Sequence, residues 1–402
     1  MVSGWARFAR KFQQYYKDAR LWKPPELEQR EWMFIPFGGS PPIRHIGFHR
    51  MQDVRNFIST KSMHSCFYST AYWKYPNESK MVDKDWQGAD LIFDLDGDHL
   101  PGVSDNDFPA MIDVIQEQAY ALWNDFLEPE FGFSEEHLQV TFSGHRGFHL
   151  HYRDPKFHHL DSEARREMVS HIRGEGVDVA GGLTRFQDGE ASGWTNRLKS
   201  GMGTLIEQLI DIDNNVDGAS EQLKRMEVCL KEMHEREPLQ SQRSASSIRK
   251  MASLIHHPTK IERLKNEYKF DVLGQYKELF LNLLRGDASI VLGNAGETDE
   301  VVTIDVRRQI RWPSSLHGKS GMRVTEFPLD QLDPDCSNRY HPLEQCFVFG
   351  LDEQQAIEII KDDVRAKIGS QIIEGHRGDI VQTSESGATF LILKGWGQQP
   401  NL

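Results

Sequence analysis

A short apolar run at residues 89–95, ADLIFDL, is bounded by Gly88 and Gly97 and contains the first of two closely spaced acids. A run of this length between glycines predicts a strand of a central sheet. Asp94 and Asp96 are two residues apart, so a strand directs both carboxylates to the same face. The fold must therefore accommodate two like charges in one small space.

Two carboxylates at this spacing repel each other, and the pKa of one rises unless a cation lies between them. Oxygen-only ligands suit Mg²⁺ or Mn²⁺. Two such ions could activate a 3′ hydroxyl and stabilise a leaving pyrophosphate. The pattern alone is equally consistent with a polar strand end or a Ca²⁺-like loop. Asp98 extends the acidic run, but it follows Gly97 and we expect it in the turn.

A second motif, SGHRGFHLHY at residues 143–152, predicts a hairpin around a glycine turn. Its two turn glycines allow backbone NH groups to approach a phosphate. The hydroxyl of Ser143 and the guanidinium of Arg146 can donate to phosphate oxygens. His149 and His151 share one face of the following strand. That histidine pattern is also consistent with a metal pair or with two half-buried side chains.

A third segment, RRQIRWPSSLHGKSG at residues 307–321, concentrates positive charge in a chain whose formal net charge is -13. Its basic residues are Arg307, Arg308, Arg311, His317 and Lys319. Bent by proline and glycine, the segment could cradle a triphosphate, and a solvated basic loop fits equally well. Just upstream, TDEVVTID offers Asp299 and Asp305 as further carboxylates.

Charge and cysteine content limit the class of protein. An acidic chain argues against a protein that simply coats nucleic acid, but a polymerase needs only a local basic groove. Four cysteines without CxxC spacing argue for a cytoplasmic location and against a disulfide framework. A zinc site built from Cys336, Cys346 and nearby histidines matches no usual spacing. We also find no secretory signal and no apolar run near the ~20 residues that span a bilayer.

The predicted elements divide the chain into three parts. The predicted strands lie at 31–37, 66–75, 89–95, 138–152, 299–312, 322–327 and 388–394. Helical patterns are found at 3–20, 111–127 and 352–366, and repeatedly from about 161 to 285. We therefore predict an α+β (mixed α/β) fold with a central mixed sheet. A core formed by 1–160 and 291–402 would be interrupted by a helical insertion subdomain at 161–290.

Several sequence blocks in this order resemble the archaeo-eukaryotic primases, in particular the archaeal primase small subunit. The blocks are REWMFIPF, IRHIGF, YSTAYWKYP, GADLIFDLDGDHL, SGHRGFHLHY, RREMVSHIRGEG and DEVVTIDVRRQIRWPSSLHGKSG. The resemblance spans most of the chain. It implies a DNA-directed nucleotidyltransferase that uses nucleoside triphosphates and two Mg²⁺ or Mn²⁺ ions to make short primers on a single-stranded DNA template. It also implies a heterodimer with a primase large subunit.

The resemblance assigns roles by position. Asp94 and Asp96 match the family's paired metal-binding acids. Asp299 best fits its third acid, which precedes the basic segment, and Asp305 is the fallback. Tyr72 matches an aromatic residue near the incoming sugar. The residues that match its two triphosphate-binding segments are Ser143, Arg146, His149, Arg311 and His317, with Lys319 as an additional candidate.

The chain departs from the family pattern in one respect. Many archaeal members carry a Cys/His zinc knuckle between the acid pair and the glycine turn, and residues 97–142 here contain no cysteine. We therefore expect packing in place of a structural zinc. Two alternative functions are a primase-family polymerase of DNA repair or end joining, and an inactive subunit that only binds DNA or scaffolds a replisome. The helical insertion argues against the first, and the intact acid pair against the second.

Overall fold

The structure is a computed structural model that describes residues 5–97, 104–185, 193–236, 238–239, 244–288 and 302–400. Twelve α-helices lie in this part of the chain: α1 (Trp5–Asp18), α2 (Met51–Thr60), α3 (Phe108–Leu122), α4 (Ser162–Ile172), α5 (Val179–Arg185), α6 (Gly193–Asn214), α7 (Ala219–Arg236), α8 (Ala245–Ile255), α9 (Pro258–Lys265), α10 (Lys277–Ala288), α11 (Pro342–Gln345) and α12 (Glu385–Lys394). The same residues contain fifteen strands: β1 (Trp32–Pro36), β2 (Ile43–Ile46), β3 (Met63–Ser69), β4 (Ala71–Trp73), β5 (Trp86–Ala89), β6 (Leu91–Asp96), β7 (Leu138–Phe142), β8 (Gly147–Tyr152), β9 (Gln309–Arg311), β10 (Thr325–Phe327), β11 (Gln354–Ile359), β12 (Val364–Ile368), β13 (Gln371–Gly375), β14 (Ile380–Ser384) and β15 (Gly397–Gln398).

Two four-stranded sheets form the centre of the fold. The first has the strand order β2-β1-β3-β9, and the second has the order β10-β7-β8-β6. Every pairing in both sheets is antiparallel. The predicted α+β class is therefore confirmed, but the single mixed sheet is replaced by two antiparallel ones. Short turns, such as the one between β7 and β8, join antiparallel neighbours without the crossover helix that parallel strands require.

Strand β6 carries both of its acidic side chains on one face of the second sheet. Its residues alternate between faces, as in any strand. The residues of one face pack in the main core beside α3, and these are Leu91, Phe93 and Leu95. Ile92, on the other face, packs in a second cluster with Trp32 and Tyr68 of the first sheet. The face that carries Asp94 and Asp96 therefore lies toward the first sheet.

The segment predicted to be a helical insertion contains the seven helices α4 to α10 in its described residues. The apolar side of α6, with Leu198, Leu205 and Leu209, belongs to the same buried cluster as the second sheet and α3. One continuous core thus joins the helices to the sheet. The division into separate parts at 1–160, 161–290 and 291–402 stays a prediction.

Two predictions for the C-terminal third are wrong. The expected helix at 352–366 is instead the strands β11 and β12, and the expected strand at 388–394 lies within α12. A short apolar run suits a buried helix as well as a buried strand, so ATFLILK did not distinguish them. The residues at the two ends of α12 favour a helix. The Ser384 hydroxyl accepts from the NH of Gly387 at the start, and Gly395 ends the helix at φ 74.

Candidate active site

Asp94 and Asp96 lie at the end of β6, beside the strand that follows the glycine turn. The register of β6 with β8 places Asp94 opposite His149 and Asp96 opposite Gly147. His149 Nε2 lies 3.3 Å from Asp94 Oδ1. Arg146 Nε lies 3.4 Å from Asp96 Oδ1. The structure therefore brings the first two sequence motifs together, with a basic side chain beside each acid.

The two carboxylates of the acid pair still repel each other in spite of these basic neighbours. Burial and then the charge of Asp94 raise the pKa of Asp96 to about 6, while Arg146 and His149 act to lower it. A carboxyl group with a raised pKa favours a proton or an added cation. The side chains of Asp94 and Asp96 are 17% and 41% exposed, so a ligand can reach both.

The turn between β7 and β8 is closed around a hydroxyl group. The Oγ of Ser143 accepts from the NH of Gly147 at 3.1 Å and from that of His145 at 3.4 Å. Gly144 has φ 78, and a Cβ there would lie 2.9 Å from the Cβ of His317. Only glycine suits this position. In the described part of the chain the Ser143 hydroxyl donates to no acceptor, so its proton remains for a ligand.

The third motif reaches the same place through β9. This strand pairs with β3 and sets Arg311 opposite Phe67. The guanidinium of Arg311 lies 4.8 Å from the centroid of the Phe67 ring. Burial lowers the pKa of Arg311 to about 10, and the negative charges of Asp94 and Asp96 oppose that shift. Arg311 therefore lies within the electrostatic reach of the acid pair.

His317 connects the basic segment to the glycine turn. Its ring stacks on that of His145, with centroids 4.8 Å apart and planes 7° from parallel. Its Nδ1 accepts from the NH of Lys319 at 3.1 Å. Burial and the charge of Arg311 hold the pKa of His317 well below its ordinary value. The ring is therefore neutral at pH 7, with its proton on Nε2 as a donor.

Two basic residues that the sequence motifs missed also lie here. The Nζ of Lys394, the last residue of α12, is 2.8 Å from Nε2 of His145. The ring of His64, on β3, packs so closely on Gly318 that a Cβ there would overlap it. Neither residue stood in a recognisable pattern: one is a lone lysine after an apolar run, and the other lies in a β-prone segment. Only long-range packing brings them to the site.

Tyr72 lies at the other end of β6 from the acid pair. Its hydroxyl donates to Oδ1 of Asp90 at 2.6 Å, and the Arg30 guanidinium lies 3.7 Å from its ring centroid. Burial raises the pKa of Tyr72 well above its ordinary value. Asp90 is four residues before Asp94, a distance of about 13 Å along an extended strand. The predicted position of Tyr72 near an incoming sugar stays a prediction.

Of the two candidates for the third acid, the structure describes only the fallback, Asp305. Asp299 lies outside the described residues. Asp305 Oδ1 accepts from the NH of Arg307 at 2.9 Å. Its charge, with that of Asp90, acts on Arg165, whose pKa burial lowers to about 10. Asp305 is thus near the start of β6, and the choice between the two acids stays open.

The donor chemistry of the acid pair fits a hard divalent cation. Asp94 and Asp96 offer carboxylate oxygens on one face, and such oxygens are the ligands that Mg²⁺ and Mn²⁺ prefer. Among the described residues, no group of three or more His, Cys, Asp and Glu is arranged to hold a metal ion. The thiols have other partners: Cys346 contacts the Tyr340 hydroxyl at 2.6 Å, and Cys336 donates to Asn338 at 2.7 Å.

No helix in the described ranges is both long and apolar enough to cross a membrane. The helix α6, at 22 residues, is the longest of the twelve, and its polar residues include Glu207, Asp211 and Asp213. Its buried residues instead pack in the core described above.

The chain is similar to known proteins over most of its length. The family model for the DNA primase small subunit matches residues 93–329, which include the acid pair and both phosphate-binding candidates. The DNA primase small subunit PriS of Methanothrix thermoacetophila is 31% identical, over 96% of this chain and 97% of its own. PriS of Methanocella arvoryzae is 29% identical over 96% of each chain. PriS of Halorubrum lacusprofundi is 32% identical over 80% of this chain and 81% of its own. The chain belongs to the DNA primase small subunit family.

Proposed function

We propose that this chain is the catalytic subunit of a DNA primase, which joins nucleotides on a DNA template to make short primers for replication. The observation that carries the proposal is the meeting of three distant segments at one place. The acid pair ends β6, the glycine turn joins β7 to β8, and the basic segment begins on β9. Together they offer carboxylates for cations and donors for a triphosphate.

The acids would hold the metal ions. Asp94 and Asp96, completed by Asp299 or by the fallback Asp305, are the residues that would bind two Mg²⁺ or Mn²⁺ ions. When bound by these residues, the ions would supply Lewis-acid chemistry: a lower pKa for a 3′ hydroxyl and compensation of charge on a pyrophosphate leaving group. His149 Nε2 lies 3.3 Å from Asp94 Oδ1, beside the acid pair. We assign His149 hydrogen bonding to the triphosphate and not general base chemistry.

The triphosphate would lie between the turn and the basic segment. The glycine turn offers two donors, the Ser143 hydroxyl and the Arg146 guanidinium. The basic segment offers the neutral Nε2–H of His317. Arg311 adds a planar fork that can bind two phosphate oxygens at once. Lys319 supplies a further positive charge from the same loop. These contacts align the α-phosphate of the nucleotide for attack.

We propose the partners from the resemblance to the family. A single-stranded template is held mainly through its phosphates, so binding should weaken with salt and depend little on sequence. A primase large subunit would form a heterodimer with this chain. We place that contact on the helical segment α4 to α10 or on another surface away from the acids, which leaves the site open to template and nucleotides.

An initiation assay tests the proposal. The full chain, with and without a large subunit, is given an unprimed single-stranded template, nucleoside triphosphates and Mn²⁺ or Mg²⁺. We expect labelled primers to form without a pre-existing 3′ end. Extension of pre-formed ends in the absence of any initiation would instead indicate a polymerase of DNA repair or end joining. Supplying ribonucleotides and deoxyribonucleotides separately determines which primer type is made.

A further inference from the structure

We propose that Lys394, at the end of the C-terminal helix α12, is a further nucleotide-binding residue whose ammonium group binds the terminal phosphates of the incoming triphosphate. The inference rests on the proposed function, because it concerns the same site. Lys394 lies beyond residues 93–329, the part of the chain that the family model matches. Lys394 belongs to none of the sequence motifs, and only the folding of the chain brings it near the acid pair.

The position of Lys394 is set by a well-defined helix end. Buried side chains of α12, including Phe390 and Leu391, anchor the helix in the main core. Gly395 then turns the chain away in the left-handed region, at φ 74. The last helical side chain is thereby held between the core and the site. Its Nζ is 2.8 Å from Nε2 of His145, a residue of the glycine turn.

That contact places the ammonium group beside both phosphate-binding segments. His145 stands between Ser143 and Arg146 in the turn, and its ring stacks on His317 of the basic segment. An ammonium group can only donate, so when Lys394 is charged Nε2 of His145 is the acceptor and carries no proton. Burial, together with the charge of Lys394, holds the pKa of His145 well below its ordinary value. A neutral acceptor leaves the positive charge of Lys394 unbalanced.

The surroundings of Lys394 lack a counter-ion within contact. In the ranges that the structure describes, no carboxylate oxygen lies within ion-pair distance of its Nζ. The rings of Phe108 and Trp396 lie 4.9 and 5.2 Å from it. A half-buried ammonium group without a paired anion is costly, and an anionic ligand would offset that cost.

The neighbouring charges point to the same ligand. Arg146, Lys319 and Lys361 act against the charged form of Lys394, and Asp96 acts for it. With burial as the main cause, the pKa of Lys394 falls to about 7. Of these cations Lys361 makes the smallest contribution. A triphosphate, with several negative charges, would stabilise the cluster of Arg146, Lys319 and Lys394. A nucleoside monophosphate, which lacks the outer phosphates, would gain much less.

The test is nucleotide affinity of the full chain, measured by calorimetry with ATP and with AMP in the presence of Mg²⁺. Lys394→Met keeps the length and packing of the side chain and removes its charge. We expect it to weaken ATP binding about 10- to 100-fold, the range of a hydrogen bond to a charged group. AMP binding should change by less than about two-fold, and Lys394→Arg should restore most of the ATP affinity.

A matched control separates this contact from a general loss of charge. Lys361 is exposed and makes the smallest of these contributions to the pKa of Lys394, so Lys361→Met removes one positive charge from outside the cluster of Arg146, Lys319 and Lys394. We expect its ATP affinity to stay within about two-fold of the unaltered chain. Equal weakening by Lys361→Met and Lys394→Met, or no weakening by Lys394→Met, would overturn the inference.

A measurement on the unaltered chain does not depend on whether a variant folds. Acetylation of Lys394 by acetic anhydride, followed by mass spectrometry, should slow when ATP saturates the site and not when AMP does. An unchanged rate with ATP would contradict the inference. If Lys394→Met made primers with an unchanged KM for nucleotide, the inference about Lys394 would be wrong and the proposed primase activity would stand. ATP binding that needs Lys394, in a chain that makes no primers, would instead count against the proposed primase activity.

Discussion

The acids at the two ends of β6 share one face of the sheet but differ in what surrounds them. At the start, Asp90 is fully buried and is bound by two guanidinium groups, those of Arg30 at 3.1 Å and Arg153 at 3.2 Å. The Tyr72 hydroxyl adds a bond of 2.6 Å. The second guanidinium also bonds Tyr68 and Gln139. At this end of the strand, two positively charged guanidinium groups and a hydroxyl group surround one carboxylate in a hydrogen-bonded network.

At the other end, the positive charge nearby does not offset burial and repulsion. The pKa of Asp96 stays raised in spite of Arg146 and His149. The side chain of Asp96 is also reachable from solvent, whereas that of Asp90 is not. The three acids on this face therefore differ in role. The enclosed Asp90 stabilises the sheet, and the open pair, Asp94 and Asp96, is where we propose that cations bind. Substitutions at the two ends should separate stability from activity.

The largest expected effect is on activity at the open end. Asp94→Ala combined with Asp96→Ala should lower primer synthesis by about 1,000-fold or more, because the proposed ligands for both ions are removed. Far-UV circular dichroism should match that of the unaltered chain, and Tm in metal-free buffer should not fall, because the variant also loses the repulsion between the two acids. Asp362→Ala with Asp363→Ala is the control, since these acids are exposed on the surface. Retained synthesis in the first variant would refute the assignment of the acid pair.

A substitution at the enclosed end of β6, at Asp90, should lower the stability of the fold. Asp90→Asn leaves two buried guanidinium groups without their shared carboxylate, and we expect a loss of about 3–5 kcal/mol in the free energy of unfolding. Urea denaturation measures it. Asp53→Asn, which breaks an exposed pair with Arg50, is the control and should cost less than about 1 kcal/mol. A similar small loss in both variants would show that the Asp90 network contributes no special stability.

A smaller effect on activity should come from the geometry of Arg311. Arg311→Lys keeps the charge but loses the planar fork, so we expect the KM for nucleotide to rise about 10-fold with the fold unchanged. Steady-state primer synthesis measures it. Arg377→Lys, at an exposed position, is the control. An unaltered KM in Arg311→Lys would mean that Arg311 acts only as a point charge or does not contact the triphosphate.

The smallest expected effect is a gain in stability at the open end. The folded-state pKa of Asp96, about 6, is above its ordinary value of 3.8. The stability linked to its protonation is therefore present below about pH 4 and is lost as the pH rises through 6. In EDTA at pH 7.5, Asp96→Asn should be more stable than the unaltered chain by about 1 kcal/mol, a figure reduced for solvent exposure.

The same variant should respond differently to metal. Mn²⁺ should raise the Tm of the unaltered chain, because a ligand that binds only the folded state stabilises it. Asp96→Asn should gain much less from Mn²⁺. Thermal unfolding from pH 4 to 8, with and without Mn²⁺, records both differences. If Asp96→Asn were less stable than the unaltered chain in EDTA at pH 7.5, the acid pair would not carry the repulsion inferred for it.

Local patterns predicted the parts of the site that depend on local structure. The strand that ends in Asp94 and Asp96 and the hairpin at Ser143 were both predicted from spacing and glycines, and the structure has both. The pairing of β9 with β3 and the docking of α12 depend on contacts between distant segments. Lys394 was missed for that reason, since its helix was predicted to be a strand. Nothing in ADLIFDLD distinguishes Asp90 from the acids that follow it.

The most direct test of the account is a crystal structure of the full chain with Mn²⁺ and a non-hydrolysable nucleoside triphosphate. We predict anomalous peaks for Mn²⁺ on the carboxylates of Asp94 and Asp96, with the triphosphate between Arg146 and Arg311. The same map would show whether Asp299 or the fallback acid completes the site. Saturating Mn²⁺ and nucleotide with no metal on either carboxylate would contradict the central claim.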